Sequence, residues 1–231
     1  MKTIGIVGGI GPESTIDYYR MLIAAYRERV PDDSYPPIVI NSIDLTYALA
    51  FLYADDLAGL TEYLVRSVEP LARAGAQLGF LAANTPHIVF DEVARRSPIP
   101  LVSIVEATCV EAKGMGLKKL GLVGTRFTMQ GKFYPEVFTP EGIALAAPNA
   151  EEQAYIHEKY FAELVPGKFL DETREAMLVI IRRMKERDAI EGLVLAGTEL
   201  PLLLRGAAVP GVSFLDTSTI HVKAILEEAL A

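Results

Sequence analysis

Short apolar runs alternate with longer amphipathic stretches along almost the whole chain. Residues 3–8 (TIGIVG), 37–44 (PIVINSID), 78–83 (LGFLAA) and 101–105 (LVSIV) are apolar and rich in β-branched side chains. Residues 120–124 (LGLVG), 142–148 (GIALAAP), 192–197 (GLVLAG) and 212–216 (VSFLD) continue the series. Runs of this length and composition predict strands. Stretches 12–29, 57–74, 87–96, 106–116, 150–165, 171–188 and 217–230 carry apolar residues at helical spacing and predict helices. The strands are apolar along their length instead of alternating with polar residues, so both of their faces are buried. Strands of that kind separated by helices make parallel sheets covered on both sides, an α/β fold.

A weak repeat underlies the alternation. IGIVG at 4–8 matches LGLVG at 120–124, with Gly5 against Gly121. Two strand-to-helix steps, LGFLAANTPH (78–87) and EGLVLAGTEL (191–200), match with Ala82 against Gly197. Spacings this long are not solenoid periods, so they point to two related halves; the alternative is that any two strand–helix units share such a pattern. The expected organisation is a first α/β subdomain of residues 1–100 plus 212–231 and a second of residues 101–211.

The composition narrows the range of partners. The 231 residues are 51% hydrophobic and 23% charged, with a net charge of −8. The charges are interspersed, and no basic stripe is available for a nucleic-acid backbone. No apolar run reaches the roughly 18 residues of a membrane span. The N-terminal MKTIGIVGG is too short and too interrupted by glycine to read as a signal peptide, which gives a cytoplasmic expectation. A single cysteine, Cys109, excludes disulfides within the chain and cysteine-based zinc sites. His87, His157 and His221 have no ligand spacing, so no metal is expected.

Four loops follow strands: GGIGPEST (8–15), AANTPH (82–87), GTRFTM (124–129) and AGTELP (196–201). Pro12, Pro86 and Pro201 stand where a first-turn proline would, and Thr85 and Thr198 are candidate helix caps. Such loops present unpaired backbone N–H groups and a positive helix end to an anion, most simply a carboxylate. Capped helices after strands are also ordinary α/β architecture; it is their recurrence in matching positions that points to a site. GGIGPES does not complete a dinucleotide fingerprint, because Ser14 occupies the place of the third glycine and Asp44 lies too far on.

TIGIVGGIGPEST resembles the N-terminus of the aspartate/glutamate racemase family, the cofactor-independent amino acid racemases. The resemblance continues through ANTPH, through VGTRFTM with Phe133 and Tyr134, and through PNAEE at 148–152, GTELPLL at 197–203 and DTSTIH at 216–221. It runs essentially end to end. It implies two pseudo-symmetric Rossmann-like subdomains with parallel sheets, an active site in the cleft between them, and a homodimer. It also implies two cysteines on opposite faces of the substrate Cα, one removing the α-proton while the other donates.

On this pattern the cysteine positions are held by Ala82 and Gly197, neither of which can exchange a proton. The resemblance implies carboxylate binding by Asn84, Thr85 and Thr198, with Thr125 and Thr128 in a matching loop and Gly9 and Ile10 in the first. Lys168 lies near the place of a basic residue for the side-chain carboxylate, or is a solvated surface lysine. Residues 42–50 lack the arginine that some relatives place there.

Three functions stay open. The chain is a racemase-family protein that binds a small amino acid or dicarboxylate, without pyridoxal phosphate or metal, while two-base racemisation is impaired or lost. Alternatively it is an enzyme of different chemistry, in which the volume freed at 82 and 197 admits a water or a bulkier ligand. His87 and Glu199 would then be candidate acid and base, with Tyr134 and Asp216 behind them. The third reading is a non-catalytic metabolite-binding module.

Overall fold

The computed structural model describes all residues, Met1–Ala231. The chain forms two compact units. One comprises residues 1–104 and 221–231, the other residues 105–220.

The first unit contains β1 (Ile4–Gly8), α1 (Pro12–Arg29), β2 (Ile38–Ser42), α2 (Leu45–Tyr53), α3 (Leu57–Arg73) and β3 (Leu78–Leu81). A 3-10 turn (Thr85–Val89) then leads into α4 (Phe90–Arg96). The sheet has the order β2-β1-β3 and is parallel throughout. Its centre is β1, buried at every position because sheet and helices enclose it. On one face Ile4, Ile6, Leu78, Phe80 and Ala82 pack with Tyr18 and Leu22 of α1. Val222, Ile225 and Leu226 close the same cluster.

The second unit contains α5 (Ile104–Gly114, whose first residue belongs to the first unit), β4 (Lys119–Gly124), α6 (Arg126–Gln130) and α7 (Phe133–Phe138). It continues with β5 (Ala144–Ala146), α8 (Ala150–Lys159) and a π-helical turn (Tyr160–Leu164). After these come α9 (Asp171–Asp188), β6 (Gly192–Ala196), α10 (Leu200–Leu203) and β7 (Ser213–Asp216). The final helix, α11 (Thr217–Leu230), begins in this unit and ends in the first. The sheet order is β5-β4-β6-β7, again parallel. Leu193 and Leu195 pack with Ile156, Met177, Ile181 and Met184 from α8 and α9.

Two expectations need correction. Residues 101–105 do not form a strand: Leu101 makes one parallel bridge with Gly79, and α5 starts at Ile104. Residues 212–231 do not belong wholly to the first unit, because Ser213–Asp216 pairs with β6 along its length. With the Leu101 bridge counted, both units share one strand order, each central strand lying between its second and third.

Candidate active site

In an open parallel sheet, ligands bind beyond the carboxyl ends of the strands where the winding reverses. The reversal falls between β1 and β3 in the first unit, and between β4 and β6 in the second. The loops at those points are 8–15 and 82–87, and 124–129 and 197–201.

The first loop is held by its own residues. Gly9 has φ +82, and a Cβ there would collide with the backbone of Ile43. Its N–H donates to Thr15 Oγ1 at 2.9 Å, and the Thr15 hydroxyl donates to the Gly11 carbonyl at 3.0 Å. Ile10 is buried beside it. Pro12 opens α1 as expected, and this 18-residue helix supplies a full helix dipole. The helices after β4 and β6 have only 5 and 4 residues, and a 3-10 turn follows β3. There the local N–H groups, not a macrodipole, are what the loops offer.

The strand register corrects the pairing of the two halves. Leu81 lies beside Val7, and Leu195 beside Val123, the matching residue of β4. Ala82 therefore corresponds to Ala196, Ala83 to Gly197 and Asn84 to Thr198. Ala82 is fully buried in the core cluster with Phe80 and Tyr18, so its side chain faces the sheet's interior packing. The residue of the first unit equivalent to Gly197 is Ala83, one position further along.

His87 is buried, and both of its nitrogens are engaged. Nε2 accepts the Ile104 N–H at 3.2 Å, so the ring proton lies on Nδ1 and is donated to the Ala83 carbonyl at 3.0 Å. The ring stacks on Phe90 with centroids 4.6 Å apart. Burial, and then neighbouring His221, push its pKa down to about 3. His221 is likewise buried, accepts the Tyr18 hydroxyl at 2.9 Å and donates to the Val102 carbonyl at 3.0 Å. Burial lowers its pKa to about 4. Both imidazoles are neutral at neutral pH and act as backbone clamps.

In the second unit, Thr125 caps α6, its hydroxyl accepting the Thr128 N–H at 3.3 Å; both threonines are buried. Asn84 and Thr198 are buried, and Thr85 is half-buried. Neither Thr85 nor Thr198 is a cap: Asn84 and Glu199 occupy those positions without side-chain cap bonds. The Thr198 hydroxyl instead donates to Glu199 Oε2 at 3.0 Å. Lys168 is exposed, on the turn before α9. Tyr134 is wholly buried, and burial raises its phenol far above the ordinary range. Asp216 caps α11 by accepting the Ser218 and Thr219 N–H groups at 3.0 and 3.1 Å. Cys109 lies within α5, its Sγ 3.7 Å from the Val137 carbonyl, and burial raises its pKa.

Position 197 is not vacant. A Cβ on Gly197 would lie 2.5 Å from Cε2 and 2.7 Å from the hydroxyl oxygen of Tyr160. The expected free volume at 197 is thus filled by an aromatic ring from the π-helical turn. The Tyr160 hydroxyl donates to Glu199 Oε2. Nothing in the sequence singled out Tyr160, because it reaches the loop from 39 residues away.

Two α/β units of one strand order, each with paired loops at its switch point, define the architecture of a duplicated, Rossmann-like protein. A family model described as Asp/Glu/Hydantoin racemase matches residues 7–225, and the chain belongs to that family. It is similar to the broad specificity amino-acid racemase RacX of Bacillus subtilis, with 29% identity over 161 residues. That match takes in 65% of this chain and 66% of the relative, just under two thirds of its length. A glutamate racemase of Thermus thermophilus is 27% identical over 161 residues, covering 67% of this chain and 56% of that protein. Among solved structures, an aspartate racemase homologue from Pyrococcus horikoshii is 36% identical, with both chains covered completely and a TM-score of 0.84. No helix is long and apolar enough to cross a membrane.

Proposed function

We propose that this protein binds a small amino acid or dicarboxylate at its strand-end loops, without a cofactor, and that two-thiol racemisation is lost. The observation that carries the second part is the placing of its only cysteine. Cys109 sits within α5, on no strand-end loop, with its thiol against a backbone carbonyl. A thiol base needs an exposed, electropositive setting that lowers its pKa, and burial here does the opposite.

The binding groups in this reading are Asn84 and Thr85 with Gly9 and Ile10 in the first unit, and Thr125, Thr128 and Thr198 in the second. Lys168, on an exposed turn, is assigned the ligand's side-chain carboxylate in this reading. His87 fixes the 83–87 loop and takes no proton. The protein works in the cytoplasm as a homodimer, an assembly that sedimentation would check.

The test is calorimetric titration with both enantiomers of aspartate and glutamate, and with dicarboxylates that lack the amine. Binding that weakens several-fold in Thr198→Val supports the reading. Absence of binding across the set contradicts it.

A further inference from the structure

We propose that Tyr160 and Glu199 form a proton relay at the end of β6 that stands in the place of a side chain at 197 and works on one face of a bound carbon acid. The proposal rests on the carboxylate-binding reading and adds chemistry to it. Its substrate class is a carboxylate with a hydrogen on its α-carbon.

Geometry carries the argument. The phenol oxygen occupies the volume that the residue at 197 would fill, at the switch point of the second unit. Its proton is donated to Glu199 Oε2, so a carboxylate acceptor is already in contact. The Glu199 N–H faces the same phenol oxygen and favours its anion, while the Thr198 hydroxyl donates to Glu199 Oε2. Burial first, and the Glu199 charge after it, hold Tyr160 protonated well above the ordinary phenol range. Tyr160 is 6% exposed and sits on a π-helical turn, an irregularity frequent at functional sites.

The step balances. As the substrate α-proton moves to the Tyr160 oxygen, the phenol's own proton moves to Glu199 Oε2. The electron pair of the broken C–H bond remains on the substrate, delocalised into its carboxylate. Before reprotonation, Tyr160, which now carries the substrate's proton, trades it with the protonated Glu199, and Glu199 trades its own with water. The proton that Tyr160 returns to the same face therefore comes from solvent. The outcome is hydrogen exchange with retention of configuration, and no antipode forms. Tyr160 is the catalytic residue, and Glu199 acts through it.

The experiment follows the α-proton by NMR in D₂O, with the aspartate and glutamate enantiomers and alanine, while binding is measured calorimetrically. Wild-type protein should wash out the α-proton signal of at least one bound ligand without producing its enantiomer. Tyr160→Phe keeps the ring and should slow exchange about 100-fold, a typical loss for an acid/base group, with binding altered less than threefold. Glu199→Gln should slow it similarly, and should bring the titration of the Tyr160 ζ-carbon resonance down towards that of an ordinary tyrosine. That shift reads the Tyr160–Glu199 contact, and the loss of exchange reads the relay. Binding without exchange, or exchange as fast in Tyr160→Phe, overturns the relay and leaves the binding reading intact. Exchange accompanied by the antipode at an equal rate overturns the one-face assignment. Absence of binding removes the underlying reading and the relay with it.

Discussion

Replacing Gly197 with alanine puts one carbon where the Tyr160 ring already lies, 2.5 Å from Cε2. The ring is buried and bonded to Glu199, so it cannot swing aside without cost. Overpacking of this kind costs about 1–3 kcal/mol. Gly197→Ala should lower the melting temperature, and the same change in a Tyr160→Ala background should cost much less. Equal losses in the two backgrounds would show that the ring does not occupy the 197 position.

The buried histidines set a second expectation. Their folded pKa values, about 3 for His87 and about 4 for His221, lie below the unfolded value of about 6.5. As pH falls through 6.5 the unfolded chain takes up protons that the folded chain refuses. Stability is therefore full above 6.5 and declines below it, by up to about 1.4 kcal/mol per pH unit for each histidine. Urea midpoints at pH 7 and pH 5 would measure this, in a range where carboxylates of ordinary pKa stay largely ionised. A midpoint equal at both would contradict the clamping role. His87 and Glu199 were visible in the sequence because they neighbour the strand-end motifs. Tyr160 was not, since only tertiary packing brings it to Gly197.

Among the secondary-structure elements, α8 connects local sequence to the candidate relay. Asn149 accepts the Glu152 N–H at 2.9 Å, and Glu152 accepts the Asn149 N–H at 3.1 Å, a reciprocal capping box. The helix so anchored leads directly into the turn that carries Tyr160. Asn149→Ala should cost about 1 kcal/mol of stability by thermal or urea unfolding. A loss below a few tenths would mean the cap is not limiting.

Helices α1, α9 and α11 match the sequence expectation end to end, because their apolar spacing is long, with Pro12 opening α1 and Asp216 capping α11. The helices α2, α6 and α7 did not show as periodic stretches, and α10 showed only through Pro201 in its first turn. In α2, LTYALAFLY is uncharged and, Thr46 and the tyrosine hydroxyls aside, apolar, so it has no polar face to set a period. The others have 4 to 6 residues, too short for periodicity to register. Residues 101–105 looked like a strand by composition, yet α5 begins inside them.

For the molecule as a whole, the alternation of apolar runs was sufficient to read an α/β fold with parallel sheets, and the Gly5–Gly121 match was sufficient to suspect duplication. It was not sufficient to set the correspondence at the loops. Sequence spacing paired Ala82 with Gly197, whereas the ladders pair Ala83 with Gly197, because the connections before β3 and β6 differ in length. A strand alternates its faces at every residue, so one step separates a core side chain from one at a ligand. Ala82 is the core residue. Family membership covers nearly the full chain, but fold and family do not by themselves fix the reaction.

The central claim is a racemase-family fold that binds its ligand without inverting it. The most direct measurement is chiral chromatography of L-aspartate, D-aspartate, L-glutamate and D-glutamate after prolonged incubation with the purified protein at neutral pH. The account predicts that each remains a single enantiomer, even where the α-hydrogen has exchanged with solvent. Accumulation of the opposite enantiomer would contradict it, and its persistence in both Tyr160→Phe and Cys109→Ser would place a two-face acid/base pair on other residues.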